Sequence, residues 1–284
     1  MSDDTQTEKI QSTSGTMLLG ETHEYQNTYA PELLFPIPRH QARQHLTVDD
    51  SQLPFSGHDL WSAYELSWLD SHGRPQVAMA EFAVPANSPN IIESKSFKYY
   101  LNSFNQSRFE SWKFVSDIMA KDLSVAAGAE IGAELYSLNL ESVLTTHIPG
   151  NCVDALDVEQ FQYQPDASLL RVEEGSQVVG EALYSHLLKT NCPVTGQPDW
   201  ATVWVQYSGP RIDPASFLAY VVSFRQHQDF HENCVEKIFM DIQSRCQSLE
   251  LTVYARYTRR GGLDINPFRT NTSLAAPRWR LLRQ

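Results

Sequence analysis

The sequence predicts an α+β protein whose two halves repeat one order of elements. Each half contains two strand-like runs, two stretches with apolar residues at helical spacing, and another strand-like run. The length of 284 residues suits one large domain or two small ones. An apolar fraction of 42% is enough for a packed core. We therefore predict a duplicated α+β unit with its seam between residues 149 and 164.

In the first half, strands are predicted over 60–68 and 76–84, which flank a turn rich in polar residues, Gly and Pro. Two helices are predicted next, because apolar side chains recur at the spacing of one helical face. The face of the first consists of Phe97, Tyr100, Leu101 and Phe104, and that of the second of Val115, Ile118, Met119 and Leu123. A strand is then predicted over 135–144.

The second half follows the same order, with strands predicted over 169–172 and 200–207. Asp213 and Pro214 are typical of a helix start, as the cap and the first helical residue. Apolar faces again predict two helices. Their members are Phe217, Tyr220, Val221 and Phe224, followed by Val235, Ile238, Phe239 and Ile242. A last strand is predicted over 249–257.

The charge balance restricts the partners. With 34 acidic against 22 basic residues, the formal charge is −12, which disfavours direct binding to a nucleic acid. The chain after Tyr254 is locally basic, which suits a small anionic ligand better than a polymer. No apolar stretch approaches the ~18 residues of a membrane span, and the amino terminus lacks the apolar core of a secretory signal. We expect a cytoplasmic protein.

Common cofactor and metal fingerprints are missing. No GxGxxG follows a predicted strand, and no GxxxxGK[ST] occurs. The segment that begins at His231 starts like HExxH but has Val235 in the fifth position. The four cysteines form no CxxC pair and are expected to be free thiols. A metal site built from Cys192, His231 and Cys234 is conceivable, although no short ligand spacing supports it.

The segment from Cys192 to Asp199 is a candidate for nucleophilic chemistry. Pro193 disfavours the helical region for Cys192 and so keeps this thiol on an extended stretch. A turn at residues 195–198 could fold the Asp199 carboxyl back towards the sulfur, pairing a nucleophile with a proton-transfer group. The alternative is a buried cysteine in a loop and a solvated aspartate.

Three further segments combine charge with a turn or a helix start. Glu93 precedes a predicted helix and complements its dipole, whereas Lys95 and Lys98 are unfavourable there and so invite a ligand anion. Residues 229–232, Asp-Phe-His-Glu, precede another helix and could simply cap it. Residues 259–262, Arg-Arg-Gly-Gly, suit contact with phosphate, with a surface turn as the alternative.

Together these segments resemble one family. Residues 93–100, Glu-Ser-Lys-Ser-Phe-Lys-Tyr-Tyr, match the signature E-[SL]-K-S-x-K-x-[YFW] of the QueF nitrile reductases of the queuosine pathway. Residues 101–105 and 192–199 match further parts of the family pattern. The resemblance implies tandem tunnelling-fold (T-fold) modules, each an antiparallel sheet with two helices, over 1–155 and 156–284. It also implies a homodimer.

The resemblance further implies NADPH-dependent reduction of 7-cyano-7-deazaguanine, a free base in a tRNA modification pathway, with two NADPH per nitrile. Cys192 would form a covalent thioimide and Asp199 would transfer protons. The residues implied to recognise the base are Ile92, Glu93, Ser94, His231 and Glu232. Those implied to contact NADPH are Ser94, Lys95, Arg259, Arg260 and Gly261. No metal is implied at the site.

Two alternatives belong to other functional classes. A zinc-dependent T-fold enzyme acting on a pterin or guanine nucleotide would require stoichiometric zinc held by Cys and His. A non-catalytic purine-binding module would bind the base without forming a covalent adduct.

Overall fold

The computed structural model describes residues 11–12, 15–16, 27–138 and 146–284. Near the amino terminus, strands β1 (Gln11–Ser12) and β2 (Gly15–Thr16) pair antiparallel. Strand β3 (Pro36–Pro38) and the short helix α1 (His40–His45) follow. These elements precede the first predicted strand.

The first half contains four strands and two helices. They are β4 (Ser56–Leu69), β5 (Pro75–Pro85), β6 (Asn90–Ile92), α2 (Ser94–Ser103), α3 (Trp112–Ala127) and β7 (Gly132–Tyr136). Both predicted helices and the strands over 60–68 and 76–84 are confirmed. The strand predicted over 135–144 begins earlier, at Gly132, and its residues 139–144 lie outside the described part of the chain.

The second half has five strands and two helices. They are β8 (Asn151–Cys152), β9 (Val172–Asn191), β10 (Pro198–Ile212), α4 (Pro214–Ser223), α5 (His231–Cys246), β11 (Glu250–Tyr257) and β12 (Leu263–Thr270). Asp213 caps α4 as predicted, since its carboxylate accepts from the amides of Ala215 and Ser216.

Two features of the second half differ from the prediction. The prediction of a strand over 169–172 is wrong, because Ala167–Leu169 is a 3-10 turn and β9 begins at Val172. Most side chains of β9 are partly or fully exposed, so the strand lacks the apolar pattern that would have indicated it. Strand β12 was not predicted either.

Eight strands form one sheet in the order β7-β5-β4-β12-β11-β10-β9-β8. All neighbours pair antiparallel except β8 and β9, and β3 pairs separately with β6. The α+β class with antiparallel strands is confirmed. The halves share one continuous sheet, because β12 pairs with β4 over eight residue pairs, from Leu263 with Ala63 to Thr270 with Ser56.

The two faces of the sheet are covered differently. On one face, α2 and α3 pack on β4 and β5, while α4 and α5 pack on β10 and β11. Val203 lies in this helix-covered core. Its neighbour Trp204 points to the other face, where it packs with Tyr254, Leu281 and Trp279 of the carboxy-terminal segment.

A buried ion cluster joins the amino-terminal segment to both halves. Glu236 of α5 accepts from Arg43 at 2.8 Å and from Arg269 of β12 at 3.0 Å. Asp59 of β4 pairs with Arg269 at 2.8 Å and with Arg39. Charges this deeply buried are stable only as hydrogen-bonded partners, so the cluster fixes α1, β4, α5 and β12 relative to one another.

Among the described residues, no helix is both long and apolar enough to cross a membrane.

Candidate active site

A pocket opens where the two halves meet. The first half contributes the end of β6 and the start of α2, and the second half contributes the β9–β10 hairpin, the start of α5 and the end of β11 with β12. Its lining consists of Ile92, Ser94, Lys98, Cys192, Pro193, Asp199, Asp229, Phe230, His231, Glu232, Thr258, Arg260, Leu263 and Ile265.

Cys192 follows the last residue of β9, at the start of a tight turn into β10. Its amide donates to the carbonyl of Gln197 at 2.9 Å, and its carbonyl accepts from the amide of Gly196 at 2.9 Å. Gly196 has φ = +67°, a conformation that favours glycine. The Gln228 side chain also donates to the Cys192 carbonyl, at 3.1 Å. Backbone and side chain thus hold a largely buried thiol on the pocket wall.

The segment before α5 lies alongside this hairpin. The amide of Asn191 donates to the carbonyl of His227, and the amide of Asp229 donates to the carbonyl of Asn191. Helix α5 therefore begins, at His231, next to the residue that precedes Cys192. The Asp229 carboxylate accepts from the Phe230 amide at 2.7 Å and from Asn233 at 2.8 Å, which fixes this helix start.

Asp199 lies against two basic side chains of the pocket. Its Oδ2 lies 3.1 Å from Nε2 of His231, and its Oδ1 lies 2.9 Å from a guanidinium nitrogen of Arg260. The His231 ring is stacked on Tyr257, with centroids 3.7 Å apart and planes at 4°. The Asp199 carboxylate thus lies between an imidazole and a guanidinium, which restrict its orientation.

Glu232 is buried at the first turn of α5. Burial, reinforced by the negative charge of Asp59, raises the pKa of its carboxyl to about 8. No described cation forms an ion pair with it. At neutral pH this residue therefore presents a carboxylic acid, which can donate one hydrogen bond as well as accept one.

The start of α2 carries the other charges of the pocket. Glu93 caps the helix, since its two carboxylate oxygens accept from the amides of Lys95 and Ser96 at 2.9 and 2.7 Å. Lys98 is one turn further along and lines the pocket. Burial and the charge of Arg260 lower the pKa of the Lys98 ammonium, while Glu93 and other nearby acids oppose that shift.

The predicted cofactor residues lie in and around the pocket. Ser94 and Arg260 line it. The Arg259 guanidinium lies 4.7 Å from the ring centre of Tyr64. The Arg280 guanidinium lies 4.9 Å from the same ring centre. Gly261 has φ = +57°, and a side chain there would approach Lys98. The ammonium of Lys95 lies 5.8 Å from the Tyr99 ring.

Seven of the predicted site residues share this pocket. They are Ile92, Ser94, Cys192, Asp199, His231, Glu232 and Arg260. Glu93 is a buried helix cap and, like Lys95, Arg259 and Gly261, is not among the lining residues. Sequence reasoning assigned no role to Asp229 or Phe230, although both lie in the segment that it singled out. It also missed Thr258, Leu263 and Ile265, which no motif marks.

Comparison with known proteins identifies the family. A family model described as "Nitrile reductase, 7-cyano-7-deazaguanine-reductase N-term" matches residues 25–135, and one described as "QueF-like protein" matches residues 198–276. A protein from Saccharophagus degradans named NADPH-dependent 7-cyano-7-deazaguanine reductase is 59% identical over 94% of this chain and 98% of its own. The chain belongs to this reductase family.

Other members of the reductase family are similar over comparable lengths. Proteins with the same name from Dechloromonas aromatica and Hydrogenovibrio crunogenus are 57% and 51% identical, over 91% and 97% of this chain and 92% and 99% of their own. A solved structure of the archaeosine synthase QueF-Like in the apo form is 16% identical, with a TM-score of 0.30, and covers 36% of this chain and 99% of that one.

Proposed function

We propose that this chain is an NADPH-dependent 7-cyano-7-deazaguanine reductase acting in queuosine biosynthesis. It converts the nitrile of its substrate into a primary amine, which consumes two NADPH and two protons per nitrile and yields 7-aminomethyl-7-deazaguanine. The observation that carries the proposal is the presence, in one pocket, of the Cys192 thiol and of the Asp199 carboxylate, which lies against His231 and Arg260. Membership of the reductase family supports the same activity.

Cys192 is the nucleophile. A nitrile accepts hydride poorly, and attack by sulfur on its carbon converts it into a more electrophilic thioimide. The thiol proton moves to the nitrile nitrogen in the same net step, so the adduct retains all atoms of both partners. Three hydrogen bonds fix the Cys192 backbone beside the pocket, which reduces the entropic cost of attack by its side chain.

Asp199 transfers that proton. It lies on the strand that leaves the turn, and its neighbours His231 and Arg260 orient its two oxygens. As a carboxylate it takes the thiol proton, and as the resulting acid it protonates the nitrogen on which charge develops. After reduction the same group can serve again, when the thiolate leaves and a second hydride arrives.

The deazaguanine ring is recognised by groups from both halves. Glu93, backbone groups at Ile92 and Ser94, and the His231–Glu232 pair are the recognition residues. A protonated Glu232 offers a donor to a ring acceptor, whereas the Glu93 carboxylate accepts from ring N–H and amino groups with the lone pairs that its helix cap leaves free.

NADPH would supply the hydride. The role of the chain is to hold NADPH beside the pocket. The residues fit an anionic dinucleotide, since no described carboxylate forms an ion pair with Arg259. Arg260 and Ser94 line the pocket itself, and Gly261 allows close approach of a ligand to the backbone. Lys95 completes the predicted set. The cations suit the 2′-phosphate of NADPH.

The fold proposed for this activity is a tandem duplication of T-fold modules, with 1–155 and 156–284 as the two units. Matching contacts in α2–α3 and α4–α5 support it. Tyr100 donates to Asp122 at 2.7 Å in the first half, and Tyr220 donates to Asp241 at 2.6 Å in the second.

The helix starts support the duplication as well. Ser96 donates to the Glu93 carbonyl at 2.7 Å, and Ser216 donates to the Asp213 carbonyl at the same distance. In both halves the capping carboxylate accepts from the second and third helical amides. A homodimer, action on a free base without nucleic-acid contact, and a cytoplasmic location complete the proposal.

The zinc-dependent alternative has less support. Its ligands would be Cys192, His231 and Cys234, and these do not form one of the clusters of possible metal ligands within the described residues. The purine-binding alternative leaves the pairing of Cys192 with Asp199 without a role.

The deciding experiment counts NADPH oxidised per 7-cyano-7-deazaguanine supplied. Two NADPH per nitrile, together with a mass increase of the protein equal to one substrate when NADPH is withheld, are expected. Substrate binding without an adduct would favour the binding module. Activity that depends on added zinc would favour the metalloenzyme.

A further inference from the structure

Three residues outside the pocket bring together typical metal ligands. The Cys152 sulfur, an Asp154 carboxylate oxygen and a His186 ring nitrogen all lie within 4.8 Å of one another. Across the described ranges, this is the one cluster of three or more His, Cys, Asp or Glu side chains with that spacing. The reaction proposed above assigns no role to any of the three.

Strand pairing explains why they converge. Strand β8 pairs parallel with β9, with Cys152 opposite Tyr184. The rings of Tyr184 and His186 are neighbours, with centroids 5.4 Å apart, and Asp154 reaches the same stretch of β9 from the turn that follows β8. Val153 and Leu183 point into the helix-covered core. The three ligands therefore converge at the edge of the sheet that β8 forms.

Neighbouring groups hold two of the ligands in place. Asp154 accepts from the Ser185 hydroxyl at 2.6 Å and from the His186 amide at 3.0 Å. One ring nitrogen of His186 lies 2.8 Å from the hydroxyl of Thr202, a buried residue of β10. Hydrogen bonds of this kind orient the ligands of metal sites before the ion binds.

We propose that Cys152, Asp154 and His186 bind a divalent cation of the zinc class. Thiolate and imidazole are ligands that zinc prefers, and the Asp154 carboxylate is the third protein ligand. Water would take the fourth coordination position of a tetrahedral ion. Binding displaces the Cys152 thiol proton to the buffer. The ion would tie the two-residue strand β8 to β9 and so fasten the segment that connects the two halves.

The test is a titration of the metal-stripped full-length protein with cobalt(II), followed by competition with zinc. One cobalt per chain is expected, with a thiolate-to-cobalt charge-transfer band in the near ultraviolet. Cys152→Ser should abolish that band, and His186→Ala should weaken binding strongly. Thr202→Val keeps the shape but removes the orienting hydroxyl, and should weaken binding by about 10–100-fold.

Cys192→Ala is the matched control, because it removes a thiol from the pocket and should leave the band unchanged. A band that is lost in Cys192→Ala and kept in Cys152→Ser would overturn the proposal and locate the ion in the pocket. The absence of any band from the wild-type protein with four reduced thiols would overturn it too. Circular dichroism checks that each variant is folded, and the reductase assay is an independent readout.

Discussion

Nε2 of His231 lies 3.1 Å from Oδ2 of Asp199, which joins the first residue of α5 to the second residue of β10. Stacking on Tyr257 fixes the plane of the His231 ring, so the direction of this contact is fixed too. Asp199, which lines the same pocket as Cys192, is therefore oriented by elements of the second half. The first half contributes Ile92, Ser94 and Lys98 to the pocket.

Cys192→Ala should abolish nitrile reduction and leave binding of the base intact, because the sulfur forms the covalent adduct while other groups hold the ring. Intact mass and calorimetry, measured in parallel, check both parts. Cys246→Ala, which removes a buried thiol at the end of α5 outside the pocket, is the matched control and should retain turnover. Turnover near the wild-type rate in Cys192→Ala would exclude the covalent mechanism.

Asp199→Asn should slow adduct formation by about 10²–10⁴-fold, because the amide keeps the size of the side chain but cannot accept the thiol proton. Stopped-flow measurement of adduct formation without NADPH isolates this step. Asp117→Asn, on the exposed surface of α3, should have no effect. An unchanged rate in Asp199→Asn would move the proton-transfer role to another group.

The buried acid Glu232 should make stability depend on pH. Its folded-state pKa of about 8 lies above the ordinary value of 4.5, so the folded chain retains a proton that the unfolded chain releases. The stabilisation is complete below the unfolded-state pKa and is lost as pH rises through the folded-state pKa. The loss amounts to on the order of 4 kcal/mol.

Glu232→Gln tests this, because glutamine does not titrate. Urea unfolding of both proteins at about pH 5 and about pH 9 should show a larger loss of stability for the wild type than for the variant. Parallel losses in the two proteins would show that Glu232 does not titrate in this range.

Glu236→Ala should destabilise the fold by about 3–5 kcal/mol, because it leaves the buried guanidinium groups of Arg43 and Arg269 without their shared carboxylate. Lys113→Ala, which removes an exposed pair with Asp117, should cost less than about 1 kcal/mol. Denaturant midpoints give both values. Equal effects of the two substitutions would contradict a structural role for the buried cluster.

Arg259→Ala should weaken binding of NADPH by about 10–100-fold and leave binding of NADH unchanged, if Arg259 contacts the phosphate that distinguishes the two. Quenching of protein fluorescence measures both affinities. Arg283→Ala is the control, since Arg283 donates to the backbone carbonyls of His186 and Ala201. A loss shared equally by NADPH and NADH would assign Arg259 to another part of the cofactor.

The sequence predicted the helices well because their apolar faces are buried and regular, from Phe97 to Phe104 and from Val235 to Ile242. Strand β12 was not predicted, and the reason is physical. It is buried along its whole length, yet it contains Asp264, Asn266, Pro267 and Arg269, so its composition is that of a loop. Its polar side chains depend on partners that are distant in the chain, such as Glu236 for Arg269 and Leu60 for Asn266.

In the pocket, too, some residues could be predicted from the sequence and others could not. Motifs identified Cys192, Asp199, His231 and Arg260, since each belongs to a short segment with unusual chemistry. No motif marks Leu263 and Ile265, which reach the pocket only because β12 pairs with β4. Glu93 caps α2, in line with its position just before the predicted helix, and its role in recognising the base stays a prediction.

The pairing of β4 with β12 also affects how activity should depend on protein concentration. The described pocket walls belong to one polypeptide and are joined by this pairing, so they meet at a high effective concentration. Dilution cannot separate Cys192 from the pocket residues of the first half, Ile92, Ser94 and Lys98. The activity per chain should therefore survive at concentrations where an enzyme assembled from two separate halves would fall apart.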